Sequence, residues 1–169
     1  MRVRAPLLAA LAAPLAALAL AACGFTPLYA VPGTAPGLAS IEVHAPKGRT
    51  AYLISQALDQ AFARDYAQPP VYRLDFVVGE RRYQRGLRIN NVATLYETNI
   101  TVGYRLTDIA TGRLIKGGGE PVTVVYDVAD QPYAGIAAQQ DSQERAANEV
   151  AERIRADLGI YFTTIAKQK

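Results

Sequence analysis

The chain of 169 residues has one cysteine and one histidine, and these two scarcities remove several kinds of chemistry at once. A lone Cys23 permits no intramolecular disulfide, so stability must come from packing or from a partner. With only His44 beside it, a transition-metal site would have to be built almost from carboxylates alone, and neither a metal nor another cofactor is expected. His44 itself sits at a strand end before Pro46, a solvated position rather than that of a catalytic base. No serine lies in a Gly-x-Ser-x-Gly elbow. Gly117-Gly118-Gly119 follows Lys116 instead of preceding a Lys-Ser/Thr pair, so it reads as a bulge or flexible turn and not as a phosphate loop. Asp59, Asp65, Asp75 and Glu80 are carboxylates whose spacing singles out no facing pair. Enzymatic activity is therefore not expected. Asn99-Ile100-Thr101 matches a glycosylation sequon by accident, inside a predicted strand.

Charge of one sign is also scarce. The chain carries 18 basic and 15 acidic side chains. Loss of Arg2 and Arg4 with a cleaved leader leaves 16 basic residues, a balance of +1, so nucleic acid is not an expected partner.

What is present begins with that leader. Arg2 and Arg4 precede an apolar run from Leu7 to Leu20, the layout of a secretory signal and too short to span a bilayer comfortably. It ends in Leu20-Ala21-Ala22-Cys23, an aliphatic-small-small-Cys sequence that marks residues 1–22 as a lipoprotein signal peptide and Cys23 as the acylated mature terminus. Two or more buried acyl chains, at about 0.8 kcal/mol per methylene, give stable attachment where one chain is reversible. Gly24 stands where an Asp would oppose sorting to the outer membrane. Residues 23–37 contain Pro27, Pro32, Pro36, Gly33 and Gly37 and read as a tether, up to ~45 Å at ~3.3 Å per residue.

Periodicity organises the remainder, residues 38–162, into one domain with a polar tail at 163–169. Ser40 to His44 alternates as a short strand, and Thr50 to Tyr66 places Leu53, Ile54, Ala57, Leu58, Ala61 and Phe62 at helical spacing, ended by Gln68-Pro69-Pro70. Val71 to about Arg82 has strand parity, and a turn at Gly86 to Asn91 leads to a strand over Thr94 to Asp108. Asp108 to Gly112 is a hairpin signal. Arg113 to Tyr126 returns, with a break expected at Gly117-Gly118-Gly119 and Pro121. From Ala134 to Phe162 an apolar stripe of Ala147, Val150, Ala151, Ile154, Leu158 and Tyr161 defines a long amphipathic helix. The expected fold class is α+β: order β-α-β-β-β-α, two helices on one face of a four-stranded sheet.

Cys23-Gly24-Phe25-Thr26-Pro27-Leu28-Tyr29, the Asp108–Gly112 turn, and Tyr133-Ala134 followed by Asp141, Arg145 and a helix closing on Ala156-Asp157-Leu158 resemble the alphaproteobacterial LptE lipoproteins of lipopolysaccharide assembly. The resemblance implies a four-stranded sheet with two helices, an outer-membrane location, and a place inside the lumen of a large β-barrel partner, LptD, whose folding it assists and which it plugs. It also implies lipopolysaccharide binding. The open sheet face, with Arg73, Asp75, Thr101, Arg105, Tyr83 and Tyr96, suits a polar lumen. Phosphates and carboxylates call for Arg or Lys near aromatic groups, and the candidate cluster is Arg81, Arg82, Arg85 and Arg88 around Tyr83, on the loop joining the second and third strands, with Lys116 as a further candidate. The alternative is a solvated run of arginines capping a strand end. Two other functions stay open at this point: an anchored periplasmic enzyme acting on envelope polymers, and a structural lipoprotein without a lipid ligand.

Overall fold

A computed structural model of the chain describes residues 34–87, 93–127 and 132–168. The order is α1 (Thr34–Ala39), β1 (Ile41–His44), α2 (Arg49–Phe62), β2 (Tyr72–Leu87), β3 (Ala93–Asp108), β4 (Leu114–Asp127) and α3 (Pro132–Lys167). The strands form one mixed sheet in the order β1-β2-β3-β4, with β1 parallel to β2 and the other pairs antiparallel. The expected α+β architecture is present. One element was not anticipated: a short helix, α1, forms over the last residues of the Pro/Gly-rich stretch. Gly37 lets it press onto α3, because a Cβ there would lie 2.9 Å from the Phe162 ring.

The two-residue alternation of the strands produces one packed and one open face. Leu74 and Phe76 of β2, Ile100, Val102, Tyr104 and Leu106 of β3, and Val122 and Val124 of β4 are buried. They meet Ile54, Leu58 and Phe62 of α2 and Val150, Ile154 and Leu158 of α3 in one core. Fully burying each such aliphatic contributes about 1.5–3 kcal/mol. Four residues apart on α3, Glu149 holds Arg153 (2.5 Å) and Asp141 holds Arg145 (2.9 Å) along the wet side.

Helix α2 stops at Phe62, four residues short of the stretch expected from periodicity. Ala63 adopts the left-handed conformation (φ 50°), and the N–H groups of Ala63 and Arg64 cap the carbonyls of Gln60 and Asp59. The turn at Asp108 behaves as its sequence requires: Asp108 Oδ1 accepts from both the N–H and hydroxyl of Thr111 at 2.8 Å, and Gly112 takes φ 67°. Strand β4, by contrast, does not break. Its pairing with β3 runs without a shift from Lys116 through the three glycines and Pro121 to Asp127, the one irregularity falling at Leu106/Thr107. The glycines serve packing. Tyr104, directly opposite Gly118, lies over it so closely that a Cβ would sit 2.8 Å from the ring. Pro121 is tolerated because β4 is an edge strand.

Sequence position along β2 also gives the domain two ends. Its start at Tyr72 meets Phe162 (ring centroids 5.4 Å) beside α1. Its far end carries the arginines, roughly 30 Å or more away at ~3.3 Å per residue. The predicted Gly86–Asn91 turn lies mostly outside the described residues, but β2 extends through Leu87.

Candidate functional site

Arg81, Arg82 and Arg85 belong to strand β2, not to a loop. The hydrogen-bonded register with β3 continues past Arg82, where alternation was expected to fade, pairing Arg81 with Asn99, Arg82 with Thr98 and Tyr83 with Glu97. Arg88 and Cys23 fall outside the described residues. Being on a strand, the arginines are sorted to opposite faces.

Arg81, Tyr83 and Arg85 share the open face. Arg85 grips Glu97 with both oxygens (Nε to Oε2 2.8 Å, Nη2 to Oε1 3.0 Å) and lies 5.5 Å over the Tyr83 ring. The pair holds the Glu97 carboxyl below its usual range and the guanidinium above its own, through their mutual hydrogen bonds. Asn99 continues the network, donating to Glu97 (3.3 Å) and accepting from Thr123 (2.7 Å). Arg81 makes no ion pair or hydrogen bond with any described side chain and is exposed, so its charge is available.

Arg82 takes the helix side. Its guanidinium donates to Gln139 of α3 (3.2 Å) and covers Tyr96 at 5.1 Å, and Tyr96 stacks on Tyr126 at 5.7 Å and 18°. Tyr96 is therefore not a neighbour of Tyr83 on the open face, as its sequence position had suggested; its parity matches that of Thr98 and Ile100. Tyr96, backed by Tyr126, lies under the exposed Arg82 guanidinium at the rim.

Lys116 does not join the cluster. It pairs with Leu106, at the other end of the sheet, and binds Asp157 of α3 at 3.1 Å. The Tyr104 hydroxyl donates to the second oxygen of the same carboxylate. Burial and the neighbouring Asp157 push the Tyr104 phenol well above its ordinary range. Lys116, Asp157, Tyr104 and Gly118 form a latch between β3, β4 and α3. Sequence periodicity could mark Asp157 as polar on α3 but not name its partner.

The four carboxylates considered for catalysis are dispersed. Asp75 pairs with Arg73 (3.0 Å) on the open face, and Glu80 accepts from Thr50 (2.7 Å) and Gln143 (3.4 Å) on the helix side. Asp65 accepts from the N–H of Ala67 (2.9 Å), and Asp59, whose carboxyl is pushed upward by burial, sits in α2. Glycines floor the middle of the open face. There, a depression of about 280 Å³ is lined by Val77, Gly103, Arg105 and Asp75 among others. Among the described residues no cluster of three or more His, Cys, Asp or Glu side chains is placed to hold a metal, and no helix is long and apolar enough to cross a membrane.

A small mixed sheet covered on one side by a short and a long helix is the architecture of a group of bacterial lipoproteins. A protein of Caulobacter crescentus described as a lipoprotein is 46% identical over 81% of this chain and 98% of its own, with a TM-score of 0.68. The rare lipoprotein B of Shewanella oneidensis shares the fold at 12% identity, with a TM-score of 0.50 over 76% of this chain and 97% of its own. No match was found among curated proteins. Residues 38–158 match the LptE lipopolysaccharide-assembly model, and the chain belongs to that family, whose role is non-enzymatic.

Proposed function

We propose that this domain is held at the outer membrane by an acylated Cys23, released by cleavage after Ala22, and plugs and helps assemble an LptD-like β-barrel, binding lipopolysaccharide through its arginine-bearing end. The match of residues 38–158 to the LptE family carries the reading, supported by the Caulobacter relative described as a lipoprotein, which aligns over 98% of its length. Geometry fits the same assignment. Helix α1 packs through Gly37 on Phe162, which meets Tyr72, so an anchor at Cys23 upstream of α1 would tether that end while the arginines lie toward the other. Tethering also raises the effective concentration of the domain at its partner.

On the ligand side, Arg81 offers a forked donor on the face where Arg85, paired with Glu97, lies over the Tyr83 ring, a setting suited to phosphates next to acyl chains. Lys116 is committed to Asp157 and drops out of the proposed contact set. Depletion of the protein tests the assembly role directly: surface lipopolysaccharide and the amount of folded barrel should fall together. Undiminished barrel with normal surface lipopolysaccharide would refute it. For the ligand, a chain with Arg81, Arg82, Arg85 and Arg88 changed to Ala should bind purified lipopolysaccharide about tenfold more weakly, the order of ~1.4 kcal/mol. Unchanged affinity removes the cluster from the site. A mass spectrum of the mature terminus checks the acylation.

A further inference from the structure

The two edges of the sheet are treated differently. Strand β4 forms one of them. Its even-numbered residues, Gly118, Glu120, Val122 and Val124, face their partners in β3, so the odd-numbered ones aim their peptide groups outward. Pro121 is among these. It has no N–H to offer, and its carbonyl is already taken by Arg153 Nη1 at 2.7 Å. That edge is closed to an added strand at its centre.

The other edge begins under β1 and is then left open. β1 has only four residues and covers β2 from Tyr72 to Asp75. The Tyr72 N–H donates to Ser40 O, and the Val71 carbonyl accepts from the Ile109 N–H on the other side, so even-numbered residues of β2 direct their peptide groups toward β1. Beyond β1, that places the outward N–H and C=O groups of Phe76, Val78, Glu80, Arg82 and Gln84 on an edge where no described strand pairs with them. Every residue from Gly79 to Arg85 is exposed, and the stretch contains no proline. Its register with β3 is unbroken up to the shift after Gln84. The length is roughly 30 Å at ~3.3 Å per residue.

We propose that this edge, from Phe76 to Gln84, accepts an extended acidic segment of a partner protein as an added strand, continuous with β1. Charge selects the occupant. Arg81 on the open face and Arg82 on the helix face present cations on both sides of the slot, and Arg81 has no counter-ion among the described residues. A segment with carboxylates at alternating and adjacent positions would meet them on both faces, while its main chain satisfies the edge. At the β1-proximal end Val77 is 68% exposed and calls for an apolar residue opposite. A second copy of the chain is disfavoured by the same charges. Antiparallel self-pairing centred on Tyr83 sets Arg81 against Arg85, and centring on Arg82 sets it against itself.

The decisive comparison uses proline, which deletes one outward N–H without touching the β2–β3 ladder. The full chain is purified from its own membrane with whatever remains bound, and its residue-resolved amide exchange is compared with that of the full chain produced alone. The amides of Phe76, Val78, Glu80, Arg82 and Gln84 should exchange at least about tenfold more slowly in the bound form. Gln84→Pro should abolish that slowing and reduce co-purifying partner about tenfold, whereas Gln84→Ala, which keeps the N–H, should retain most of both. Circular dichroism and melting of each variant report whether the sheet survives. If Gln84→Pro unfolds, Val78→Pro against Val78→Ala makes the same comparison nearer β1. Equal behaviour of the Pro and Ala variants, or no slowing at these amides, overturns the proposal. A photo-crosslinker at Gly79, where a Cβ meets nothing closer than 3.8 Å, identifies the neighbour. Linkage to an Asp/Glu-bearing peptide of another protein supports the assignment, and linkage to a second copy or to glycolipid overturns it. Lipopolysaccharide binding and barrel assembly, measured separately, can persist when this edge proves empty.

Discussion

The end of the domain where Tyr72 meets Phe162 and the far end that carries the arginines use charged residues differently. Near the Tyr72 end, polar side chains are spent internally: Lys116 and Tyr104 converge on Asp157, Arg73 holds Asp75, and Arg64 and His44 both approach Glu42. The far end has less beneath it. Arg81 has no ion pair among the described residues, the Arg82 guanidinium lies over Tyr96 at the rim, and Tyr133 at the start of α3 is 87% exposed. The first end is tied together by its own charges; the second pairs Arg85 with Glu97 but leaves Arg81 and the β2 edge without a described partner. Predicted perturbations should therefore cost stability at or toward the first end and binding at the second.

The largest effect is expected in the core that the two helices share. Ile154 of α3 is fully buried, in the cluster with Ile54, Leu58 and Leu74. Ile154→Ala should cost about 2–5 kcal/mol, read as a shift of the urea midpoint with little change in slope. A loss below about 1 kcal/mol would mean that α3 is not held by this seam.

Next comes the glycine triplet. Only Gly118 has the Tyr104 ring in its path, whereas a Cβ on Gly119 meets nothing nearer than 3.8 Å and one on Gly117 lies 3.4 Å from a backbone oxygen. Gly118→Val should destabilise by about 1–3 kcal/mol and Gly119→Val by far less. Combining Gly118→Val with Tyr104→Ala should recover part of the loss, the sign of a direct clash. Equal costs at Gly118 and Gly119 would return the triplet to the role of a flexible break.

The same tyrosine gives a pH signature. Burial first, and then Asp157, raise its phenol above the ordinary value of 10.0, so the fold favours the neutral form. That stabilisation is complete below about pH 10, the unfolded value, and is lost as pH climbs from there toward the folded one. Wild-type stability should fall steeply above pH 10, and Tyr104→Phe, though weaker at neutral pH for want of the hydrogen bond, should show a shallower alkaline decline. Parallel curves for the two proteins would contradict the latch.

How much of this was readable beforehand follows from the range of each interaction. Alternation along Leu74-Phe76 and Ile100 to Leu106, and the helical stripe from Ala147 to Leu158, report local geometry, so the strands, the two longer helices and the core follow from spacing, while the short α1 does not. The Asp108–Gly112 turn is local too. Gly118 was misjudged because its reason is Tyr104, a cross-strand neighbour that a one-dimensional reading cannot supply. The end of α2 was placed too late because Ala63, not a glycine, takes the left-handed cap, and nothing in an alanine announces that. For the site, the arginines were visible as a run, but their division between faces needed the strand to extend to Leu87. The commitment of Lys116 to Asp157 spans two elements and was invisible.

The smallest effects separate the candidate cations from one another. Arg81→Ala should leave stability within about 0.5 kcal/mol, because its side chain touches no described partner, yet weaken lipopolysaccharide binding about three- to tenfold. Lys116→Ala should do the reverse. It removes an ion pair at the rim of the Asp157 latch, costing at most about 1 kcal/mol, and leaves ligand affinity unchanged. Glu97→Gln sharpens the contrast further, since it keeps the shape of the side chain while weakening its hold on Arg85. If the far end serves an anionic ligand, that substitution should strengthen binding by a small factor in a titration at fixed salt. Weaker binding would mean that the Arg85–Glu97 pair is itself the recognised feature, and that the open face reads its ligand by shape more than by free positive charge.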